Sequence, residues 1–133
     1  MPITALLIDD SEASRKLIGA ELRQIGCAVV GEATNASDGL ELFTKLRPNL
    51  VTLDLMMPTK DNVDSLALVR KIKSEDPKAA IIVVSVVQSG KVAESFAAEG
   101  VLAYVNKPFN SYALESLRLN LRRIFPELGE VRW

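Results

Sequence analysis

Five short apolar runs punctuate the chain, and each is followed by residues with helical spacing. They are Ala5-Leu6-Leu7-Ile8, Ala28-Val29-Val30, Leu50-Val51-Thr52-Leu53, Ile81-Ile82-Val83-Val84 and Leu102-Ala103-Tyr104-Val105. The runs are mostly continuous rather than alternating, the pattern of parallel strands covered by helices on both faces. Between them lie amphipathic stripes. Ile18, Leu22 and Ile25 recur at helical intervals, as do Leu40, Phe43 and Leu46, then Leu66, Val69 and Ile72. Leu114, Leu117, Leu121 and Ile124 form the last stripe, and the segment from Lys91 to Glu99 has only Val92 and Phe96 as anchors. Gly26, Pro48, Pro77 and Gly100 fall where each helix should yield to the next strand, and Pro126 should close the last helix.

Alternating strands and helices with right-handed crossovers predict an α/β fold, a doubly wound five-stranded parallel sheet in the order 2-1-3-4-5 with helices on both faces. The boundaries predict one domain over 1–125 and a short tail over 126–133 ending in Trp133, read as a terminal residue rather than a docking aromatic. In such sheets ligands bind beyond the carboxyl ends of the strands, near the point where the winding reverses.

Composition narrows the chemistry available at that edge. The 133 residues are enough to bury a core, and 16 basic against 17 acidic residues leave a net charge of −1. That balance gives no reason to expect nucleic acid or an anionic membrane as partner. Arg118, Arg122 and Arg123 on the last helix are read as a solvated basic face. No apolar stretch is long enough to span a bilayer and no secretory signal is visible, so a cytoplasmic location is expected. A single cysteine, Cys27, fits a reducing compartment and is read as a small apolar strand residue rather than a redox thiol. There is no histidine, which removes Ser-His-Asp and Cys-His mechanisms and histidine-ligated zinc.

The polar residues that remain converge. The first run ends in Asp9-Asp10, the third in Asp54, the fourth in Ser85, and the fifth leads into Lys107-Pro108. Singly, each is unremarkable: Asp10 or Ser11 could cap the first helix, and a lone Ser or Lys at a strand end is usually solvated. Together they place three carboxylates, a hydroxyl and an ammonium on one sheet edge. Carboxylates so gathered repel, and a hard divalent cation such as Mg²⁺ relieves the repulsion. A phosphoryl group needs the same neighbours, and a carboxylate nucleophile would give an acyl phosphate. Asp54, at the centre of the edge, is the natural nucleophile.

From Ile3 to about Phe125 the chain resembles the receiver domains of two-component response regulators. The likeness rests on Leu7-Ile8-Asp9-Asp10-Ser11, Leu53-Asp54-Leu55-Met56-Met57-Pro58, Val84-Ser85 and Tyr104-Val105-Asn106-Lys107-Pro108-Phe109. The resemblance implies phosphorylation of Asp54 by a sensor histidine kinase, a phosphotransfer protein or a small phosphodonor. It implies Mg²⁺ held by Asp10, Asp54 and the main-chain carbonyl of Met56, with Asp9 acting through water. Lys107 would pair with a phosphoryl oxygen, and its bond to Pro108 would be cis. Ser85 would move toward the phosphoryl group and Tyr104 would turn into the vacated space, changing the face of the fourth helix, fifth strand and fifth helix for a downstream protein. Tyr104 also has the plainer reading of a half-buried strand aromatic.

Two positions depart from the family pattern. Asp61-Asn62 stands where Asp-Gly is usual, and Asn tolerates the positive φ of such a turn. Val86 stands where a small residue is usual. Its bulk, with apolar Met56 and Val87, should restrict an in-line water and slow dephosphorylation, or else hinder phosphorylation. The expected output is protein contact of the chemotaxis type by a stand-alone receiver. A phosphorelay intermediate or a fragment of a longer regulator are the alternatives. An aspartate-nucleophile phosphatase would need an acid where Met56 stands, and a flavin module would need a loop less acidic than Asp9-Asp10-Ser11-Glu12.

Overall fold

Each apolar run gives way to a short polar residue able to cap a helix, and the chain alternates strand and helix accordingly. The computed structural model describes residues 3–57, 59–87, 89–107 and 110–128. Its strands are β1 (Ile3–Ile8), β2 (Cys27–Ala33), β3 (Leu50–Leu53), β4 (Ala80–Ser85) and β5 (Ala103–Asn106). Its helices are α1 (Glu12–Gln24), α2 (Ala36–Leu46), α3 (Ser65–Glu75), α4 (Gly90–Ala98) and α5 (Ser111–Ile124). Ser11, Asn35, Asp64, Ser89 and Asn110 cap them in turn, each side chain accepting from the backbone N–H three residues on. Of the two candidate caps for α1, Ser11 serves and Asp9-Asp10 is left for other work.

All strand pairs are parallel and the order is β2-β1-β3-β4-β5, as the sequence predicts. The continuous runs are explained by alternation between two cores. Leu6, Ile8, Val51, Leu53, Ile81 and Val83 point to the layer of α2, α3 and α4, where Phe43, Leu68, Ile72 and Phe96 meet them. Ala5, Leu7, Leu50, Ile82 and Val84 point to α1 and α5, onto Ile18, Leu22, Leu117 and Leu121. At α2 the layers approach so closely that a Cβ on Gly39 would lie 2.6 Å from Ile8 Cδ1, so only glycine fits without displacing that side chain.

The structure corrects details of the stripes. The buried face of α3 is Leu68, Val69 and Ile72, with Leu66 only half-buried, and that of α5 is Ala113, Leu117 and Leu121. Leu46 is 40% exposed because α2 ends there, Arg47 adopting a left-handed φ of 46° and donating its N–H to Phe43 O. Strand β2 is not covered like its neighbours: it is an edge, its register with β1 skips Val30, and Val30 is exposed. Such a bulge spoils the edge as a template for a further strand. Leu128, expected in a tail, packs into the α1/α5 core. Pro58, Pro108, Phe109 and Trp133 lie outside the described residues.

Asp61 and Asn62 both take positive φ, 56° and 59°, closing a turn in which Val63 N–H donates to Lys60 O at 3.1 Å. Two left-handed residues in succession suit a primed turn, and Asn is among the residues that tolerate it. Cys27 is buried on β2 and burial pushes its thiol up to about 11, so it stays protonated and inert at neutral pH, in keeping with an apolar role. Among the described residues no helix is long and apolar enough to cross a membrane.

One core group is at odds with its surroundings. Thr52 on β3 is fully buried between Leu7 and Ile82, and its hydroxyl has no hydrogen-bond partner among the described residues. An unpaired buried hydroxyl is destabilising by about 1–2 kcal/mol. Thr52→Val should therefore raise stability by about 1 kcal/mol in urea unfolding. A lower midpoint would mean that the hydroxyl has a partner after all.

Candidate functional site

The sheet itself sets the spacing of the site. Ile8, Leu53 and Val83 lie side by side in the register of β1, β3 and β4, and the ladder continues one residue further. Asp9 N–H donates to Ala33 O at 3.0 Å, Asp54 N–H to Ile8 O at 2.9 Å, and Lys107 N–H to Ser85 O at 2.9 Å. The side chains that follow the strands are thus anchored through the backbone before they make any contact of their own. Carboxylate oxygens of Asp9, Asp10 and Asp54 come within 4.8 Å of one another. Asp9 and Asp54 are buried, whereas Asp10 is exposed at the rim.

Lys107 joins the buried pair. Its Nζ donates to Asp9 Oδ2 at 2.7 Å and Asp54 Oδ2 at 3.1 Å. The second oxygen of each acid accepts a backbone N–H two residues on: Ser11 N to Asp9 Oδ1 at 2.8 Å and Met56 N to Asp54 Oδ1 at 3.0 Å. Burial raises the pKa of Asp9 above the ordinary carboxylate value, outweighing the opposing bonds from Lys107 and Ser11 N–H. Burial pulls the Lys107 ammonium down, but Asp9 and Asp54 more than reverse it, so its pKa is raised. The ammonium is therefore firmly charged, and Asp9 is the uneasy member of the set.

Ser85 is fully buried at the end of β4, its Oγ accepting from Val87 N at 3.3 Å. The Val87 carbonyl in turn accepts the Tyr104 hydroxyl, and the Tyr104 ring packs half-buried against the α2–α4 core. Burial, with the Asp54 charge adding to it, raises the phenol pKa. Ser85, Val87 and Tyr104 are thus linked through one loop. Met56 and Val86 are 57% and 52% exposed, so both side chains stand at the rim of the site rather than inside it. Between the β3–α3 loop and α4 lies a cavity of about 280 Å³, lined in part by Leu55, Met57, Leu66, Val92 and Phe96.

The strand ends predict Asp9, Asp10, Asp54, Ser85 and Lys107 on one edge, and the structure places them there. Arg15, absent from that set, donates its Nη1 to the Asp9 carbonyl at 2.7 Å. The signal was present: Arg15 lies three residues before Ile18, in line with the apolar stripe of α1 where a cation is out of place.

Residues 5–117 match the response regulator receiver domain family. The chain belongs to that family. The chemotaxis protein CheY of Thermotoga maritima is 35% identical over 114 residues, which take in 84% of this chain and 92% of that protein. A Myxococcus xanthus protein-glutamate methylesterase/protein-glutamine glutaminase is 36% identical over 110 residues, but those residues are only 30% of its length. In fold, the chain is similar to a chain of the CheX–CheY–BeF3–Mg²⁺ complex from Borrelia burgdorferi, with a TM-score of 0.84, 19% identity, and coverage of 94% of this chain and 90% of that one. The protein is a receiver of two-component signalling, related to chemotaxis receivers.

Removing the ammonium while leaving the buried acids should be strongly destabilising. Lys107→Met is expected to lose roughly 3–5 kcal/mol of stability in urea unfolding at neutral pH without divalent metal. A loss below about 1 kcal/mol would show that the pair is solvated and the burial overstated.

Proposed function

We propose that the chain accepts a phosphoryl group on Asp54 and signals by protein contact. The observation that carries this reading is the buried Asp54 carboxylate, flanked by two further acids and by the Lys107 ammonium, with the Ser85 hydroxyl on the next strand. The donor set is wholly oxygen, the type Mg²⁺ prefers, and three carboxylates against one nearby ammonium leave negative charge for a cation to neutralise. Asp10, Asp54 and the main-chain carbonyl of Met56 would hold Mg²⁺, with Asp9 contributing through water. Bound there, the ion supplies charge against the phosphoryl oxygens.

The chain's own residues do the rest. A carboxylate oxygen of Asp54 attacks phosphorus of a phosphohistidine or small acyl phosphate. The new O–P bond forms as the donor's P–N or P–O bond breaks, and a leaving imidazole takes up a proton. Lys107 moves its ammonium from the carboxylates to a phosphoryl oxygen. Ser85 donates to another oxygen, which loosens its tie to Val87 and so bears on Tyr104. Pro108, the structural residue of the motif, lies outside the described residues. Helix α4 buries only Phe96 and lies beside the cavity, so it can shift at modest cost.

The partners proposed are a sensor histidine kinase or phosphotransfer protein upstream and a protein target on the α4–β5–α5 face, in the cytoplasm. Neither nucleic acid nor a membrane is involved. The likeness to the Thermotoga maritima chemotaxis protein favours a chemotaxis-type output over a phosphorelay intermediate. The domain proposed spans 1–125, with Leu128 of the segment that follows packed back onto its core. The exposed thioether of Met56 offers no acid or base for turnover of external substrates, so the chain is proposed to be a phospho-acceptor rather than an enzyme.

Acetyl phosphate with Mg²⁺ should add one phosphoryl group, read by intact mass, and neither Asp54→Asn nor metal-free protein should gain it. Multiple turnover of a phosphate ester would instead favour a phosphatase. Met56, Val86 and Val87 should restrict water at the rim, so Val86→Ala should hasten decay of phospho-Asp54 severalfold. Equal decay rates would remove that role from Val86.

A further inference from the structure

We propose that Arg15 is a positioning residue of the acidic site, locking the peptide between Asp9 and Asp10 so that Asp10 faces the cation. The proposal rests on the metal reading above. Arg15 lies in the first turn of α1, and its guanidinium makes two bonds in different directions. Nη1 donates to the Asp9 carbonyl at 2.7 Å, and Nε donates to Glu32 Oε1 on β2 at 3.0 Å. The Arg15 side chain is only 14% exposed. One side chain thereby ties α1, the end of β1 and β2 together.

The choice of acceptor gives this contact its consequence. The Asp9 carbonyl belongs to the peptide that leads into Asp10, and that peptide is planar. Pinning its oxygen fixes the plane and with it the position of the Asp10 Cα. Asp9 needs no such help, since its N–H, Oδ1 and Oδ2 are all bonded. Asp10 is exposed, and its carboxylate has no hydrogen-bond partner among the described residues. Its direction depends on the main chain that carries it, and Arg15 holds that main chain. Glu32 has a double part: it orients the guanidinium and offsets a positive charge that would otherwise repel a divalent ion nearby.

Geometry and charge predict opposite signs, which makes the proposal testable. Deleting a cation beside a cation site should tighten Mg²⁺ binding if charge alone matters. Losing a clamp that orients a ligand should weaken it, typically by about tenfold. The full chain and its Arg15→Met, Arg15→Lys and Glu32→Gln variants are titrated with Mg²⁺ by calorimetry. Arg15→Met is expected to bind about tenfold more weakly. Arg15→Lys, able to make one of the two bonds, should fall between Arg15→Met and the unsubstituted chain, and Glu32→Gln should also be weaker.

In metal-free protein, amide hydrogen exchange at Ser11 should quicken severalfold in Arg15→Met, while Leu22 in the α1 core is unchanged. Binding in Arg15→Met as tight as in the unsubstituted chain, or tighter, overturns the proposal, as does unaltered Ser11 exchange. Should Arg15→Met fail to fold, Arg15→Lys decides: binding equal to that of the unsubstituted chain overturns the proposal. If the unsubstituted chain shows no saturable Mg²⁺ binding, the metal reading falls, whereas the Ser11 exchange still reports on the clamp.

Discussion

Like charges held together at the end of a sheet are the constraint around which this molecule is arranged. Two unit charges within 4.8 Å repel by roughly 3–4 kcal/mol at an effective dielectric near 20, and burial adds desolvation. Nothing in local sequence would bring Asp9 and Asp54 so close. They are held because each follows directly from a run of four buried residues on a parallel strand, with its backbone N–H bonded to the neighbouring strand. Lys107 relieves part of the repulsion from the far side of β4, and what is left over makes the site receptive to a cation. The burial of the central strands and the crowding of charge at their ends are two aspects of one arrangement.

Burial is unevenly distributed among the helices. Helices α1, α2, α3 and α5 each bury several apolar residues against β1, β3 and β4, whereas α4 buries Phe96 alone and borders a cavity. The loop between β4 and α4 carries Val87, which bonds Ser85 on one side and Tyr104 on the other. The end of β4 is thereby linked through Val87 to the edge strand β5, beside the helix that buries the fewest apolar residues. The opposite pole is closed by static contacts: Thr44 and Arg47 of the α2 end meet Glu75 of α3, and Asn49 bonds Thr4.

The sheet edges are managed differently. Val30 bulges out of β2, while Arg123 of α5 donates to the Leu102 carbonyl just before β5. The basic face of α5 thus works within the molecule, since Arg118 also pairs with Glu21 of α1. Those contacts give two of the three arginines acceptors within the chain itself, in line with the near-neutral balance of charge.

The order of apolar runs, the caps and the punctuation by glycine and proline were enough to give strand order, helix count and the edge on which the acids and Lys107 meet. Periodicity and topology are properties a linear string carries in full. Finer placement was not in the string. That Val30 and Leu46 are exposed follows from lying at an edge and at a helix end, and that Leu128 is buried follows from where the chain returns after α5. Which acid is buried and which is exposed, and that Arg15 reaches back to the Asp9 carbonyl, depend on the orientation of peptide planes and on residues from three elements meeting in space. Periodicity records which face a side chain takes. Only packing decides what it finds there.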